Sequence, residues 1–543
     1  MNRTRLSRSR ALATLLAAST VLLPAPAGAQ TWTPPGQPSG PQQMGTQLGG
    51  TLPGGVPPRT AQPSSWSASV WLQETVTNNV NLTPSANREY ALVTEVTPEL
   101  NLNHRGPRTS LIGLISLPTV LNVPSGVATN RVYPTVHLVG DVTLVDQFLY
   151  VEGDVDISQQ FFNPFGAQPS GFTNTTQNRY RSDFYRVSPY IKGVTQASTN
   201  YELRNDNVWT NLNGAPASTN NANYTSFSGK ASNLQTTLGW QASFNYTDTR
   251  FNTQRPIVNQ LYRIAPVYTV DPNLRLSASG GYEENRGSLT SSQGAIYGAG
   301  FAWQPTPRTT VAGDYEKRFF GSSYQFSFDH VTPLTVWKLH FSRNITTYPQ
   351  QLGTLPAGIN VAGFLDSLFV FSIPDPAERQ RVVNQLMQDR GLPATTTNPV
   401  NLYSDQILLQ QFAGATVGLL GARNTIFMTI YSVRNEPIAA SGTPLPPILA
   451  AGNDNTQNGG TIIWSHQLTP SLSFVASADG FQTVANGPSA ANTRQGMLRM
   501  ALSTTVAPMT TVFAGARYQV LRSNLAPEYD EAAVFAGLRY TFR

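Results

Sequence analysis

The sequence has no cysteine and little charge, since Asp, Glu, Lys and Arg make up only 12% of its 543 residues. The absence of cysteine excludes disulfide bonds, metal–thiolate sites and a thiol nucleophile. Soluble domains carry about 25% charged residues, so this low charged fraction argues against a chain of several ordinary soluble domains. No run of about 18 apolar residues occurs either, which argues against membrane-spanning helices.

Neutral polar and aromatic residues take the place of the missing charge. Asn, Gln, Ser, Thr and Gly are abundant, and 25 Phe, 21 Tyr and 8 Trp accompany them. So many aromatic and β-branched residues argue against intrinsic disorder. Aromatic residues that alternate with neutral polar ones predict an all-β protein. The predicted architecture is a transmembrane barrel with lipid outside and water inside.

Residues 1–29 have the pattern of a secretory signal peptide. A basic start precedes an apolar stretch over residues 11–23, and Ala-Gly-Ala at 27–29 predicts cleavage near Ala29. A membrane anchor is the alternative, although the apolar stretch is short for one. Cleavage leaves 32 basic and 30 acidic residues, so the charge predicts no nucleic-acid partner. The basic residues removed are Arg3, Arg5, Arg8 and Arg10.

The remaining chain divides into a linker and one long domain. Residues 30–65 are rich in Pro, Gly, Gln, Ser and Thr without apolar periodicity, which predicts a flexible periplasmic tether. From Trp66 onward, polar and apolar residues alternate in stretches of strand length as far as the C-terminus. This alternation predicts an outer-membrane β-barrel over residues 66–543.

Short turns alternate with longer loops along this domain, as they do in antiparallel up-and-down barrels of the outer membrane. We count about 22 strands, with 18 or 20 as alternatives. The longest loop carries one short helix over residues 375–390, which begins at Asp375-Pro376 and ends before Gly391. We expect this helix on the extracellular side, either packed on its own loop or folded into the barrel mouth as a lid.

The last strand ends in an aromatic pattern that is typical of lipid-facing strands. One face of residues 534–542 reads Val, Ala, Leu, Tyr, Phe, and the other face is more polar. Leu538, Tyr540 and Phe542 are therefore the predicted signal for insertion by the barrel-assembly machinery.

Charged residues recur at every second position on several strands, which predicts that they line the lumen. Arginine or lysine facing lipid would cost roughly 2–4 kcal/mol at mid-depth, and acids somewhat less. A polar lumen collects charges by default, and the alternative is a transverse field, acidic on one wall and basic on the other, that orients a solute. The residues are Glu152, Asp154, Asp156, Asp314, Glu316, Arg318, Lys338, His340, Arg499, Arg517 and Arg539.

A set of short motifs follows in order along the chain after Trp66. The motifs are ETVTNNVNL (74–82), LVTEVTPEL (92–100), LYVE (149–152), ISQQ (157–160), NPFG (163–166), VSPY (187–190), GFAWQPTPRT (300–309), RFFG (318–321) and SRNITT (342–347). This ordered set resembles the PEP-CTERM system-associated outer-membrane proteins, a group of barrel porins found with exosortase and exopolysaccharide loci. The resemblance covers most of the chain after Trp66, and it implies a barrel connected with surface polysaccharide but no functional residues. The segment 30–65 and the additional Arg543 depart from the group's pattern.

Catalytic and cofactor motifs are missing from the sequence. It has five His without metal-ligand spacing, no P-loop and no G-x-S-x-G elbow, so we expect no metal and no cofactor. His330 and His340, which flank a tight turn, are the only candidates for catalytic residues. The leading hypothesis is a channel of the Gram-negative outer membrane that serves exopolysaccharide export or the surface matrix. A non-conducting structural or surface-binding barrel is the alternative, and a barrel enzyme is the least favoured.

The expected partners follow from this hypothesis. They are outer-membrane lipid and lipopolysaccharide, the barrel-assembly machinery, and polysaccharide or export components.

Overall fold

The computed structural model describes residues 62–123, 131–213, 221–252, 256–287, 291–354, 361–369, 407–438, 454–486 and 491–542, with residues 373, 379, 382, 383, 386 and 387. The predicted signal peptide, most of the predicted tether and part of the predicted helix lie outside these residues. The first strand begins at Gln62, inside the segment predicted as tether.

Strand segments make up most of the described chain, and two short α-helices lie between β17 and β18. The first twelve segments are β1 (Gln62–Thr77), β2 (Ala91–Arg105), β3 (Thr109–Ser116), β4 (Thr119–Val123), β5 (Arg131–Val132), β6 (Thr135–Val145), β7 (Leu149–Phe161), β8 (Arg179–Val194), β9 (Asn200–Asn213), β10 (Ala222–Asn233), β11 (Leu238–Phe251) and β12 (Ile257–Asp271).

The second twelve segments are β13 (Leu274–Arg286), β14 (Ser291–Thr306), β15 (Thr309–Arg318), β16 (Gly321–Val331), β17 (Thr335–Thr346), β18 (Leu408–Leu420), β19 (Asn424–Pro437), β20 (Asn455–Gln467), β21 (Leu472–Ala485), β22 (Asn492–Ala507), β23 (Thr510–Ser523) and β24 (Tyr529–Phe542). The helices are α1 (Tyr348–Thr354) and α2 (Val361–Phe369), and a short 3-10 turn spans Ser85–Asn87.

The strands close into a single antiparallel barrel. Neighbours in sequence pair with each other, and β1 pairs with β24 from Ala68↔Phe542 to Thr77↔Ala533. This pairing leaves no open sheet edge, as a membrane-spanning sheet requires, because lipid offers no partner for backbone N–H and C=O groups.

Two wall strands are interrupted at proline, which has no backbone N–H to donate to the ladder. Pro118 lies between β3 and β4, and both of these segments pair with β2. Pro134 lies between β5 and β6, which pair with β4 and β3. With each interrupted strand counted once, the barrel has 22 strands, and the predicted number is confirmed.

The two faces of the wall differ as the alternation predicts. On β24, Val534 is 58% exposed on the outer face, whereas Phe535 is 6% exposed on the inner face. Glu531, also on the inner face, is fully buried. The outside of the barrel is therefore apolar, and charged side chains turn inward, as in barrels that face lipid.

Aromatic residues form two bands on the outer face, as they do at the two interfaces of a membrane. Short turns such as Asp271–Leu274 and Thr306–Thr309 lie at one end, which we name the short-turn end, and the opposite end is the loop end. Exposed residues near the short-turn end are Trp240, Trp303, Trp337, Trp464 and Tyr540. Exposed residues toward the loop end are Trp209, Tyr262, Tyr282, Tyr297, Tyr315 and Tyr324.

One connection at the loop end is as short as those at the opposite end. The chain turns from β15 to β16 through Phe319-Phe320, and Gly321 adopts φ +103°. A side chain rarely tolerates this backbone conformation, so glycine permits the tight turn.

Candidate functional site

The connection between β17 and β18 enters the barrel instead of projecting from it. Its first helix, α1, packs through Tyr348 and Leu352 against the inner face of β8, β9 and β10. Six wall strands separate β10 from β17, so the chain crosses the interior to reach this contact. The contact residues are Phe184, Val208 and Tyr224, and the hydroxyl of Tyr348 also hydrogen-bonds that of Tyr180.

The second helix of this connection, α2, packs on another part of the inner wall. Val361, Leu365 and Leu368 are buried in a cluster with residues of β17, β19 and β20. The wall residues are Val336, Phe427 and Ile463, and all three lie near the short-turn end of their strands. The connection therefore reaches from the loop end deep into the barrel.

The helix predicted over residues 375–390 belongs to the same inner cluster. Arg379, Val382, Val383, Leu386 and Met387 are helical, and the other residues of the predicted helix lie outside the described ones. Val383 is buried in the cluster formed by α2, with Leu386 and Met387 packed against it. Of the two expected positions, the structure therefore shows the one inside the barrel. The segment lies deeper than the barrel mouth, because these apolar side chains contact the inner wall toward the short-turn end.

An ion pair joins this helical segment to α2. Arg379 Nε donates to Asp366 Oδ1 at 2.7 Å, and its Nη1 donates to the carbonyl of Ile373 at 3.0 Å. Both charged side chains are buried. Paired burial of this kind holds the two helical pieces in one arrangement, because either charge alone would be costly to bury.

A second connection, residues 161–179 between β7 and β8, also lies across the lumen; we name it the latch loop. Its Asn174 accepts hydrogen bonds from Arg517 at 2.8 Å and from Gln519 at 3.1 Å, both on β23. Farther along the loop, the backbone N–H and C=O of Gln168 bond the side-chain amide of Gln495 on β22. The latch loop is thereby fixed to the wall formed by β22, β23 and β24.

Arg517, a predicted lumen residue, belongs to this contact. Its guanidinium donates to both carboxylate oxygens of Glu531, at 2.8 Å and 3.3 Å, and to Thr173 at 3.2 Å. Thr77 donates a further hydrogen bond to Glu531 at 2.7 Å. Arg517 is thus an anchor for the latch loop, and its charge is matched by a buried acid.

The predicted acidic wall carries its own cations. Arg186 donates to Glu152 at 2.8 Å and to Asp154 at 3.1 Å, and all three side chains are buried. Arg204 lies 3.1 Å from the other oxygen of Glu152 and pairs with Asp206 at 2.7 Å. This wall therefore presents an ion-pair network to the lumen, with arginines beside the acids that the transverse-field alternative placed on an acidic wall.

Asp156 lies next to this network on β7. Its carboxylate is 3.4 Å from Nδ1 of His137 on β6. It is less buried than Glu152 and Asp154, and its cationic neighbour is a histidine rather than an arginine.

A second ion-pair network involves β12, β13 and β15. Arg263 is 2.6 Å from Glu316, and Arg318 Nε donates to Glu283 at 2.9 Å. Asp314 faces the same side of β15 as Glu316 and Arg318, but it forms no salt bridge to a described residue.

Lys338 and His340 lie on the inner face of β17. Lys338 is 3.9 Å from Asp329, and both side chains are substantially exposed. His340 contacts the ring of Phe412 at 5.7 Å between centroids. His330, in contrast, is paired across strands with the outward-facing Trp337, so the two histidines lie on opposite faces and share no site.

Arg499 and Arg539 flank a row of aromatic rings on the inner face. Arg499 lies 4.8 Å from the ring centroid of Phe535, and Arg539 lies 4.8 Å from that of Trp71. Phe513 stands between the two rings, 6.4 Å from Phe535 and 5.7 Å from Trp71. We name Trp71, Phe513 and Phe535 the aromatic row. Arg539 is 3.6 Å from Glu99.

The predicted insertion signal lies on the outer face of β24. Leu538, Tyr540 and Phe542 are exposed, and the rings of Tyr540 and Phe542 make an edge contact at 4.9 Å. This arrangement places an aromatic pair at the short-turn end of the closing strand.

Sequence reasoning missed the partners of the predicted charges. Each missed residue lies at an inward position of a strand one to three places along the wall. Its inward direction was visible in the sequence, whereas its pairing depended on strand register. They are Arg186, Arg204, Arg263, Glu283 and Glu531.

The described residues contain no group of three or more His, Asp or Glu side chains placed to hold a metal ion. None of the helices in the described ranges is long and apolar enough to cross a membrane.

The fold and the interior together define a class of protein. A closed antiparallel barrel of 22 strands, apolar outside and charged inside, is a β-barrel of the outer-membrane type. Within it, two connections and the networks of paired charges narrow the lumen.

Comparisons with solved structures give only distant likenesses. The chain aligns with OccK3 (OpdO) of Pseudomonas aeruginosa at a TM-score of 0.32 and 10% identity, covering 88% of this chain and 96% of that one. It aligns with the FrpB iron transporter of Neisseria meningitidis at a TM-score of 0.44 and 8% identity, covering 89% and 83%. Likenesses this weak carry no argument about function.

No protein-family model matches the chain, and no curated protein matches it in sequence. The resemblance to the PEP-CTERM system-associated proteins therefore stays a prediction.

Proposed function

We propose that this chain is a porin-like channel of the outer membrane of a Gram-negative bacterium, narrowed from within by two connections. The observation that carries the proposal is the inward course of the connection between β17 and β18 within a barrel of 22 strands. Barrels of this size have a lumen too wide for wall side chains to fill. An inserted segment is therefore needed to limit the size of the solutes that pass.

The orientation follows from the strand order. The chain enters β1 and leaves β24 at the short-turn end, as in outer-membrane barrels whose two termini and short turns face the periplasm. The long connections then begin on the extracellular side.

The lumen suits polar solutes rather than apolar ones. Arg499 and Lys338 are exposed on the inner face, and networks of paired charges surround the interior. Charged groups lining a pore set its selectivity through their local field.

The sequence resemblance supports a role in exopolysaccharide export or in the surface matrix. We expect deletion of the gene to lower the amount of surface-bound polysaccharide, and plasmid-borne wild-type protein to restore it. Unchanged polysaccharide in the deletion strain would remove this part of the proposal and leave the channel itself untouched.

Single cysteines test whether the inner face lines a conducting path, since the chain has no cysteine of its own. Ser477→Cys lies on the inner face of β21, and Ala478→Cys, its matched control, points to lipid. After reconstitution in a planar bilayer, a positively charged methanethiosulfonate reagent should reduce the current of S477C and leave that of A478C unchanged. Equal responses of the two variants would contradict a path along this wall.

The second candidate function is a non-conducting structural or surface-binding barrel. The observation that favours it is the same inward packing, because α1 and α2 contact separate parts of the inner wall and occupy part of the lumen. Bilayers that hold folded, inserted protein without discrete current steps would support this candidate over the channel.

A further inference from the structure

Arg499 is a lumen cation that no acid of the described residues contacts, although the charge of Glu95 on β2 attracts it. It is directly opposite Arg517 in the pairing of β22 with β23. Like charges in this position repel each other. Arg517 is compensated because both oxygens of Glu531 accept its hydrogen bonds. Arg499 forms no salt bridge to a carboxylate of the described residues, and it is exposed to the lumen.

The aromatic row provides an apolar surface beside this cation. It runs from Phe535, under the Arg499 guanidinium, through Phe513 to Trp71. It follows the inner face of β24, β23 and β1 toward the short-turn end, where Arg539 covers Trp71. The faces of aromatic rings carry partial negative charge and therefore attract the C–H groups of a ring stacked on them.

Hydroxyl groups border the same surface. Ser477 is directly opposite Arg499 on the β21 side, and Thr511 is directly opposite Arg539 on β23. Both side chains share the inner face with these arginines because cross-strand partners project to one side of a sheet.

We propose that Arg499 and the aromatic row bind an acidic sugar, a polyhydroxylated ring that carries a carboxylate. The guanidinium of Arg499 binds the carboxylate through two parallel hydrogen bonds, the geometry that arginine favours. The apolar face of the sugar ring lies on Phe513, which is only partly buried, because Phe535 is 6% exposed and already covered by the Arg499 guanidinium. The hydroxyls of the sugar reach Ser477. This inference rests on the proposed channel and names its solute class.

Each part of the surface narrows the chemistry of the ligand. An inorganic anion would use the arginine and leave the rings without contacts. An apolar carboxylate would use the arginine and rings but leave the hydroxyls unsatisfied. An uncharged sugar would leave Arg499 without a salt bridge.

Calorimetric titration of the full-length barrel in detergent micelles tests the site without requiring conduction. Glucuronate is the probe, with glucose lacking the carboxylate, acetate lacking the ring and benzoate lacking the hydroxyls. We expect glucuronate to bind most tightly of the four. Equal binding of acetate or benzoate would overturn the sugar assignment, and equal binding of glucose would overturn the role of the cation.

Two variants locate the site within the barrel. Arg499→Gln should weaken glucuronate binding at least about tenfold, because a charge-assisted pair is lost. Phe513→Leu keeps apolar volume but removes the ring, and it should weaken glucuronate binding without changing the binding of acetate. The matched control is Arg494→Gln on the same strand, whose side chain faces outward. Loss of glucuronate affinity in the control equal to that in R499Q would overturn the proposal.

Conductance of the same preparations separates this inference from the proposed function. Block of the current by glucuronate, relieved in R499Q, supports both. Binding that depends on Arg499 in a barrel that does not conduct supports the site and contradicts the channel. Conduction that glucuronate leaves unchanged, with no binding by calorimetry, contradicts the site and supports the channel.

Discussion

Glu152 lies between the guanidinium groups of Arg186 and Arg204, with distances of 2.8 Å and 3.1 Å. At the scale of single residues, ion pairs like these determine which charged side chains are free to bind a solute in the lumen. Because each member of a buried pair compensates the other, removing one leaves an uncompensated charge. Arg499 and Asp314 form no salt bridge to a described residue, so their charges are not compensated in this way.

Replacing Arg186 tests this view of the inner wall. Arg186→Gln should lower the free energy of unfolding by about 3–5 kcal/mol, the usual cost of breaking a buried ion pair. Guanidinium unfolding of the barrel in lipid vesicles measures the change. Lys230→Gln is the control, because its pair with Glu202 at 3.2 Å is partly exposed and should change stability by less than about 1 kcal/mol. Similar shifts in both variants would mean that the network adds no stability.

The sequence predicts which residues face inward but not which residues pair. Alternation placed Arg517 inside the barrel without revealing Glu531 or Asn174 as its partners. The side-chain period of two is local, whereas pairing depends on register and on the course of distant connections. The same limit hid Arg186 beside Glu152.

At the scale of elements, Asn174 is one of the residues that fix the latch loop to the wall. This side chain accepts from Arg517 and Gln519 and donates to the carbonyl of Asn79 at 3.2 Å. Because β23, β24 and the chain that follows β1 all bind one buried amide, the latch loop should move as a unit with the wall.

Replacing this amide should loosen the latch loop. Asn174→Ala leaves the buried side-chain amide of Gln519 without its acceptor, which typically costs about 1–3 kcal/mol, whereas Arg517 keeps its bonds to Glu531 and Thr173. We expect faster proteolysis of N174A within residues 161–179, followed by mass spectrometry, while the remaining barrel stays resistant. Ser170→Ala removes an exposed side chain of the same loop and should behave as wild type. Unchanged proteolysis of N174A would show that other contacts hold the loop.

The closing strand carries a prediction about assembly. Phe542 is on the outer face in contact with Tyr540, whereas Thr541 is on the inner face. Phe542→Ala should sharply lower the amount of inserted barrel, because the aromatic end of the strand is the predicted signal for the assembly machinery. Thr541→Ala should have little effect. Quantitative immunoblots of outer-membrane fractions compare the two, and equal amounts would refute the assignment.

The sequence predicts the elements of the wall better than the elements inside it. Alternation and turn spacing gave the strand number, because both are local consequences of a sheet with one apolar face. The helices α1 and α2 were not predicted, and their inward course depends on complementary surfaces such as Val336 and Phe427 that are far away in sequence. Loop length alone does not tell on which side of the barrel mouth a connection will pack.

At the scale of the whole molecule, the barrel has a large diameter and an interior that is narrowed by inserted segments. The outer aromatic bands hold it in a membrane, and the inward connections divide a lumen that wall side chains could not fill. The wall formed by β21, β22, β23, β24 and β1 carries Arg499 and the aromatic row. The account therefore predicts a conducting barrel whose pore size is set by the connection between β17 and β18.

Single-channel conductance in planar bilayers tests this claim most directly. The wild-type protein is compared with a variant in which residues 348–387 are replaced by a short Gly-Ser linker, after heat-modifiable mobility has shown that both barrels are folded. We predict discrete current steps for the wild-type protein and larger steps for the variant. Equal steps would contradict the constriction, and the absence of steps in both folded barrels would contradict the channel.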